Sequence, residues 1–453
     1  MAHMSRTKEM TSGSPAKLIF IFAIPLMLGN VFQQVYTITD SLIISRSLGV
    51  DALAALGSCD WFDYMLISVI QALCQGFAIL IAQQYGAEDY DRMQKSVAHS
   101  ALYSFLSGIA VTIAALLLIS PMLKMLNTPD NIAWMAREYL VWKFSGLLLS
   151  VLLNMTASIL RAFGDSRTPL FSMIVSAVLN IGMDLLFVSV LNLGIGSAAF
   201  ATVAAQGIGG IINYLAIRKL PFLHIAKESF AKEKGLARKM FTLAVPMMLA
   251  NVLIAIGGML VQSQVNRFDL SFIAGYTAAN KLYGALELAA LAYGFAMVTY
   301  VGQNYGARKY ERIRKGIFSS VGIAVVTSLF ITLLIYLFGR NLIAMFVTAD
   351  SAEAEGAVQY GTSFLKLLAS WLPVLYILHV LRSCLQGFGD TVTPMISGVA
   401  EFCARIFMAF FMIAKLGSSA LFYAEIAAWF ASDAILIPSL LMRMKKEKVL
   451  LNK

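Results

Sequence analysis

Two carboxylates, Asp40 and Asp184, interrupt long apolar stretches in the first half of the chain, and each has oxygen-bearing companions. Asn180 precedes Asp184 by four residues, so on a helix both project from one face. At 1.5 Å per residue, Asp184 lies about 24 Å above the start of its apolar stretch at 168 and Asp40 about 33 Å above residue 18. Thr202 falls about one and a half turns inside the start of the next stretch. The four side chains can therefore meet at one level of a helical bundle. Two carboxylates, an amide and a hydroxyl supply oxygen ligands suited to a hard cation. The same carboxyl pair would also share a proton, because like charges in a low dielectric cannot both ionise freely. A structural hydrogen-bond network between helices is the other reading of the cluster.

Further charges sit in the apolar stretches. Glu401 and Arg405 are four apart, which on a helix predicts an ion pair. Glu287 could face an internal cavity and attract a cation or proton, with Lys281 nearby. Asp60 and Asp63 read as solvated residues near the outer end of their stretch. Glu425 and Asp433 have no partner legible in the sequence, and His99, His224 and His379 are given no role. No nucleophile–base motif and no metal motif such as HExxH is found, so an intramembrane enzyme is disfavoured and no catalytic residue is assigned.

What must position these groups follows from composition. The chain has 453 residues, 59% of them hydrophobic and 13% charged, with a mean hydropathy of +0.75. Soluble domains average roughly 45–50% apolar and about 25% charged, so this chain has too little polar surface to coat a globule. An all-α, multi-pass membrane protein is the class that remains. Twelve apolar stretches are predicted as spans, at about 17–45, 52–85, 96–122, 132–162, 168–191, 197–217, 238–266, 272–304, 316–339, 357–387, 393–415 and 418–442. Pro25 and Pro246 lie inside spans, where a missing hydrogen bond permits a hinge.

The net charge is +10, which in a soluble protein would suggest nucleic acid. With twelve spans and a cytoplasmic N-terminus, 24 of the 35 Lys and Arg fall on the cytoplasmic side, six on the other and five within spans. Cytoplasmic loops collect basic residues, so the charge reports orientation: both termini cytoplasmic, in a cell inner membrane. No nucleic-acid partner is expected.

The chain also repeats itself. Pro25-Leu-Met-Leu-Gly-Asn30 recurs as Pro246-Met-Met-Leu-Ala-Asn251, and Gln84-Tyr-Gly-Ala87 as Asn304-Tyr-Gly-Ala307. Leu160-Arg-Ala-Phe-Gly-Asp165-Ser-Arg-Thr-Pro169 recurs as Leu385-Gln-Gly-Phe-Gly-Asp390-Thr-Val-Thr-Pro394. Ordered matches at one offset predict two homologous halves: an N-terminal lobe 1–217, a cytoplasmic linker 218–239 and a C-terminal lobe 240–453. Six spans per half is even, so the halves enter the membrane in the same direction and are related by an axis along its normal. Two pseudo-symmetric six-helix bundles with a central cleft are expected. The doubled turn itself reads as a helix stop on Gly164, an N-capping Thr168 and Pro169 at the first helical position. The acidic cluster is not repeated: Asp40, Asn180 and Asp184 correspond to Val261, Arg405 and Ala409.

Twelve spans in two halves, the doubled L-x-[AG]-F-G-D-x-x-T-P turn and the doubled [QN]-Y-G-A ending resemble the multidrug and toxic compound extrusion (MATE) family, over about residues 17–443. The resemblance implies an antiporter that expels organic, often cationic, drug-like compounds against inward Na+ or H+, with no other cofactor. It places Asp40, Asn180, Asp184 and Thr202 at positions similar to the family's N-lobe coupling-ion site, and Tyr139, Asn154 and Met173 at positions lining the neighbouring cavity. Function as a monomer is expected, since the paired bundles lie in one chain. A flippase for lipid-linked precursors is the nearest alternative; such proteins often carry further spans and strongly basic central cavities.

Overall fold

The computed structural model describes residues 9–125, 128–231, 233–346 and 352–451. Among them every regular element is helical, as it must be where no water is present to satisfy backbone groups. The N-terminal half runs α1 (Pro15–Leu48), α2 (Val50–Gly86), α3 (Tyr90–Met125), α4 (Asp130–Ser145), α5 (Leu147–Ala162), α6 (Arg167–Asp184) and α7 (Ile195–Ile217). The C-terminal half repeats the order as α8 (Leu236–Val265), α9 (Leu270–Gly306), α10 (Tyr310–Ala344), α11 (Ala352–Ser370), α12 (Leu372–Gly387), α13 (Val392–Ile406), the short α14 (Ile413–Leu416) and α15 (Ser419–Leu451). Among the described residues, ten helical segments are long and apolar enough to cross a membrane. The pairs α4–α5 and α11–α12, bent by 48° and 50°, bring the total to twelve when each counts as one span. The chain is thus an all-α, multi-pass membrane protein.

The described residues divide into two compact units, one of residues 9–10 with 24–248 and the other of residues 11–23 with 249–451. Each boundary inside a helix falls within two residues of that helix's proline: α1 changes unit beside Pro25 and α8 just after Pro246. Both helices run unbroken through those prolines.

The repeats build the same local structures twice. Gly164 and Gly389 take φ of +79° and +84°, the left-handed region that a side chain disfavours. At each, the next residue's N–H reaches back to a helix carbonyl: Asp165 to Leu160 at 2.9 Å and Asp390 to Leu385 at 3.0 Å, a Schellman closure. The aspartate then caps the following helix. Asp165 Oδ1 accepts the N–H of Arg167 and Thr168 at 3.0 Å each, and Oδ2 accepts the Thr168 hydroxyl at 2.6 Å. Asp390 takes the Thr393 N–H at 3.0 Å and its hydroxyl at 2.7 Å. This corrects the expectation of an N-capping Thr168 with Pro169 at the first helical position: the cap is the aspartate, and the helices start at Arg167 and Val392.

A second repeated device follows the lobe's sixth element. Immediately after Asp184 the chain widens into a π-helix, Leu185–Val190, and after Ile406 into another, Phe407–Met412. In the first unit the site level is mounted on a buried cluster that includes Ile43 and Ile44 of α1, Phe62 of α2, Tyr139 and Phe144 of α4, Val188, and Ala198 of α7. In the second unit the aromatics Tyr276, Phe364 and Phe422 stack with centroids 4.7 and 4.8 Å apart.

Candidate cation site

Asp40 on α1, Asn180 and Asp184 on α6, and Thr202 on α7 are all buried, none more than 6% exposed. The fold brings them together. The Asp40 and Asp184 carboxyl groups are close enough to interact electrostatically. Asn180 Nδ2 faces Thr202 Oγ1 at 3.4 Å, and the threonine hydroxyl donates to the Ala198 carbonyl at 3.2 Å. What is left over defines the chemistry: Asp40 Oδ1, Asn180 Oδ1 and both carboxyl oxygens of Asp184 are buried without any hydrogen-bond partner. Four acceptor oxygens turned into an apolar bundle with no donor among them are costly. A hard cation, or a proton on one carboxyl, supplies what is missing.

α6 positions this set because Asp184 closes its last α-helical turn, just before the chain widens into the π segment. The small residues of α7 let that helix approach closely: a Cβ on Gly209 would lie 2.3 Å from Ser176 Oγ of α6.

The structure adds residues that the sequence reading did not place here. Lys143 of α4, with its side chain 11% exposed, forms an ion pair with Asp63 of α2 at 3.0 Å and donates to Tyr139 Oη at 3.1 Å. Its charge bears on Asp40, and Tyr36 of α1 lies within reach of Lys143, Asp40 and Asp63. The expectation that Asp63 is simply solvated is therefore corrected: it is the counter-ion of a buried lysine. The signal was present as four-residue spacings, Tyr36 to Asp40 and Tyr139 to Lys143, but nothing local paired the two helices.

The remaining candidates scatter. Asn154 turns back onto its own helix, donating to the Ser150 carbonyl at 2.9 Å. Met173 packs against α1, where a Cβ on Gly29 would meet its sulfur at 3.1 Å. Glu287 lies in the other unit and takes His379 Nε2 at 3.1 Å, which gives that histidine a partner the sequence did not suggest. Glu401 and Arg405 approach only to 3.8 Å. The predicted pair is real but secondary, because Arg405 donates to Glu425 at 2.8 Å and Glu401 takes Arg382. Glu425 thus gains the partner it lacked in the sequence.

Twelve apolar spans in two repeated halves, with the Asp40–Asp184 carboxyl pair in the first half only, define a helical membrane protein of the transporter class. A family model described as MatE matches residues 25–186 and 246–421, and the chain belongs to that family. It is 30% identical over 398 residues to the probable multidrug resistance protein YpnP of Bacillus subtilis (strain 168), covering 87% of each chain. It is 21% identical over 407 residues to an FAD transporter of Shewanella oneidensis, covering 89% of this chain and 88% of the other. Its fold matches a crystal structure of a MATE protein in complex with MaL6 with a TM-score of 0.88, at 23% identity, over 97% of this chain and 98% of that one. The chain is a transporter, not an enzyme.

Proposed function

We propose that the protein is a secondary antiporter that exports organic, cationic drug-like compounds in exchange for inward Na+ or H+, with Asp40, Asn180, Asp184 and Thr202 as the coupling-ion site. The observation that carries this reading is the set of four partnerless buried oxygens, present in one half of a repeated molecule. A structural network would satisfy its own acceptors; this one awaits a cation. Coupling then requires only that the ion bind two arrangements of the N-terminal helices with different affinity, so that loading it changes the access and affinity of the organic substrate. Alternating access follows, with Pro25 and Pro246 as the points where α1 and α8 bend and with Tyr139, Asn154, Met173 and Glu287 adjacent to the substrate path. The protein works as a monomer in the inner membrane.

The test is export from proteoliposomes under an imposed Na+ gradient or an imposed pH gradient. Asp184→Asn, which keeps the side chain's shape, is expected to insert and fold normally while losing gradient-driven export. Undiminished export by that variant under either gradient would remove the site assignment.

A further inference from the structure

The C-terminal unit buries a second charge cluster that the cation site does not use. Arg382 of α12 donates to Glu401 of α13 and, at 3.3 Å, to Ser432 of α15. Arg405 of α13 forks onto Glu425 of α15, Nε to one oxygen at 3.0 Å and Nη2 to the other at 2.8 Å. Each guanidinium group is thereby charge-paired with a glutamate. A third acid remains. Asp433, next to Ser432 on α15, is 6% exposed, and its Oδ1 is buried with no hydrogen-bond partner.

The groups around Asp433 are Arg382 of α12 and Glu401 of α13, whose charges bear on it directly. Beyond them stand Arg405 and Glu425, with Tyr283 of α9 within reach of both. Two guanidiniums against three carboxylates leave one excess negative charge. Asp433 is 14 residues beyond Ser419, the start of α15, or about 21 Å along the helix, which is mid-span. A carboxylate at that depth with a buried oxygen lacking a hydrogen-bond partner and no arginine of its own is expensive, and the cheapest relief is to become neutral. A metal cation fits poorly here, because it needs several free oxygens, whereas Arg382 Nε and Arg405 Nη1 are themselves buried donors without partners.

We propose that Asp433 is a proton-binding carboxyl, a second ion-responsive site in the half of the molecule that lacks the Asp40–Asp184 cluster. The proton comes from solvent and resides on a carboxyl oxygen, converting an unpaired acceptor into a donor and bringing the cluster to neutrality. Loss of that proton leaves an anion beside Arg382, which then competes with Glu401 for the guanidinium and loosens the α12–α13 link. The repeat-equivalent position in the first unit is Ile208, so the device, like the cation site, belongs to one half. Its place in the transport cycle rests on the antiport reading above; the bound proton itself does not.

Infrared difference spectra of the purified full chain in liposomes, recorded across a pH titration, test this directly. A carboxylic-acid C=O stretching component is expected in the wild type, absent from Asp433→Asn and retained in Asp184→Asn. The amide mimics the neutral acid, so Asp433→Asn is expected to accumulate and unfold like the wild type. Persistence of the full set of carboxylic bands in Asp433→Asn overturns the proposal, as does failure of that variant to fold, which would show that Asp433 serves as an anion. Loss of the component on adding Na+ at constant pH also overturns it, by making the occupant a metal cation. Failure of the antiport reading would look different: export indifferent to both gradients with the Asp433-dependent band intact.

Discussion

Lys143 shows how a single side chain sets the character of the N-terminal site. Its ammonium, 3.0 Å from Asp63 Oδ2, gives one of three nearby carboxylates a counter-ion, whereas Asp40 Oδ1 and both oxygens of Asp184 are buried without a hydrogen-bond partner. Removing one partner of a buried ion pair costs more than removing both, because the survivor is left charged and unsolvated. Lys143→Gln is therefore expected to lower stability by about 3 kcal/mol, and the double variant Asp63→Asn/Lys143→Gln to recover most of that loss, read as thermal unfolding in detergent. A single variant as stable as the wild type would mean that the pair is solvated after all. The lysine was visible in the sequence as a basic residue inside a span, but its counter-ion lies eighty residues earlier on another helix, and no local pattern joins them.

At the level of elements, the doubled turns are the most legible feature, because their chemistry is contained within ten residues. Gly164 and Gly389 supply the left-handed step, and Asp165 and Asp390 then satisfy the first N–H groups of α6 and α13. The sequence reading located these turns correctly and assigned the cap to the wrong residue, since threonine and aspartate are both good caps and only the backbone path decides between them. Replacing Asp165 or Asp390 by Ala is expected to cost about 1 kcal/mol each, measured as the shift in unfolding temperature, and the two losses are expected to add because the turns lie in different units. The bends at Gly146 and Trp371 were not legible. Each lies inside a single apolar stretch, and the first depends on α7 passing so closely that a Cβ at Gly146 would lie 2.4 Å from Val203.

For the whole molecule, the distribution of basic residues predicts that both termini are cytoplasmic. A green fluorescent protein fused after residue 453 is expected to fluoresce, and alkaline phosphatase at the same point to be inactive; the reverse pattern would invert the assigned topology. The unit boundaries add something that the repeats did not reveal. Each long helix bearing a repeated proline contributes its first part to one unit and its remainder to the other, whereas the sequence suggested a division at the 218–239 linker. Contacts of α1's leader make the difference: Lys309 Nζ donates to the Thr11 carbonyl at 3.0 Å and Arg312 to the Gly13 carbonyl at 2.8 Å, binding the N-terminal segment to the turn between α9 and α10.

The sequence by itself determined the membrane class, the apolar stretches that form the spans, the duplication and which four polar residues of the first half could meet at one level, because each rests on apolar length, offset or helical spacing, which are local or periodic quantities. Only the tertiary structure decided which charges are spent on one another. Asp63 with Lys143, Glu287 with His379, Arg405 with Glu425 and Arg382 with Glu401 are all contacts between helices. Pairing across helices depends on rotation and depth, which no one-dimensional pattern encodes. The partnerless buried oxygens of Asp40, Asp184 and Asp433 are among what remains once those pairs have formed.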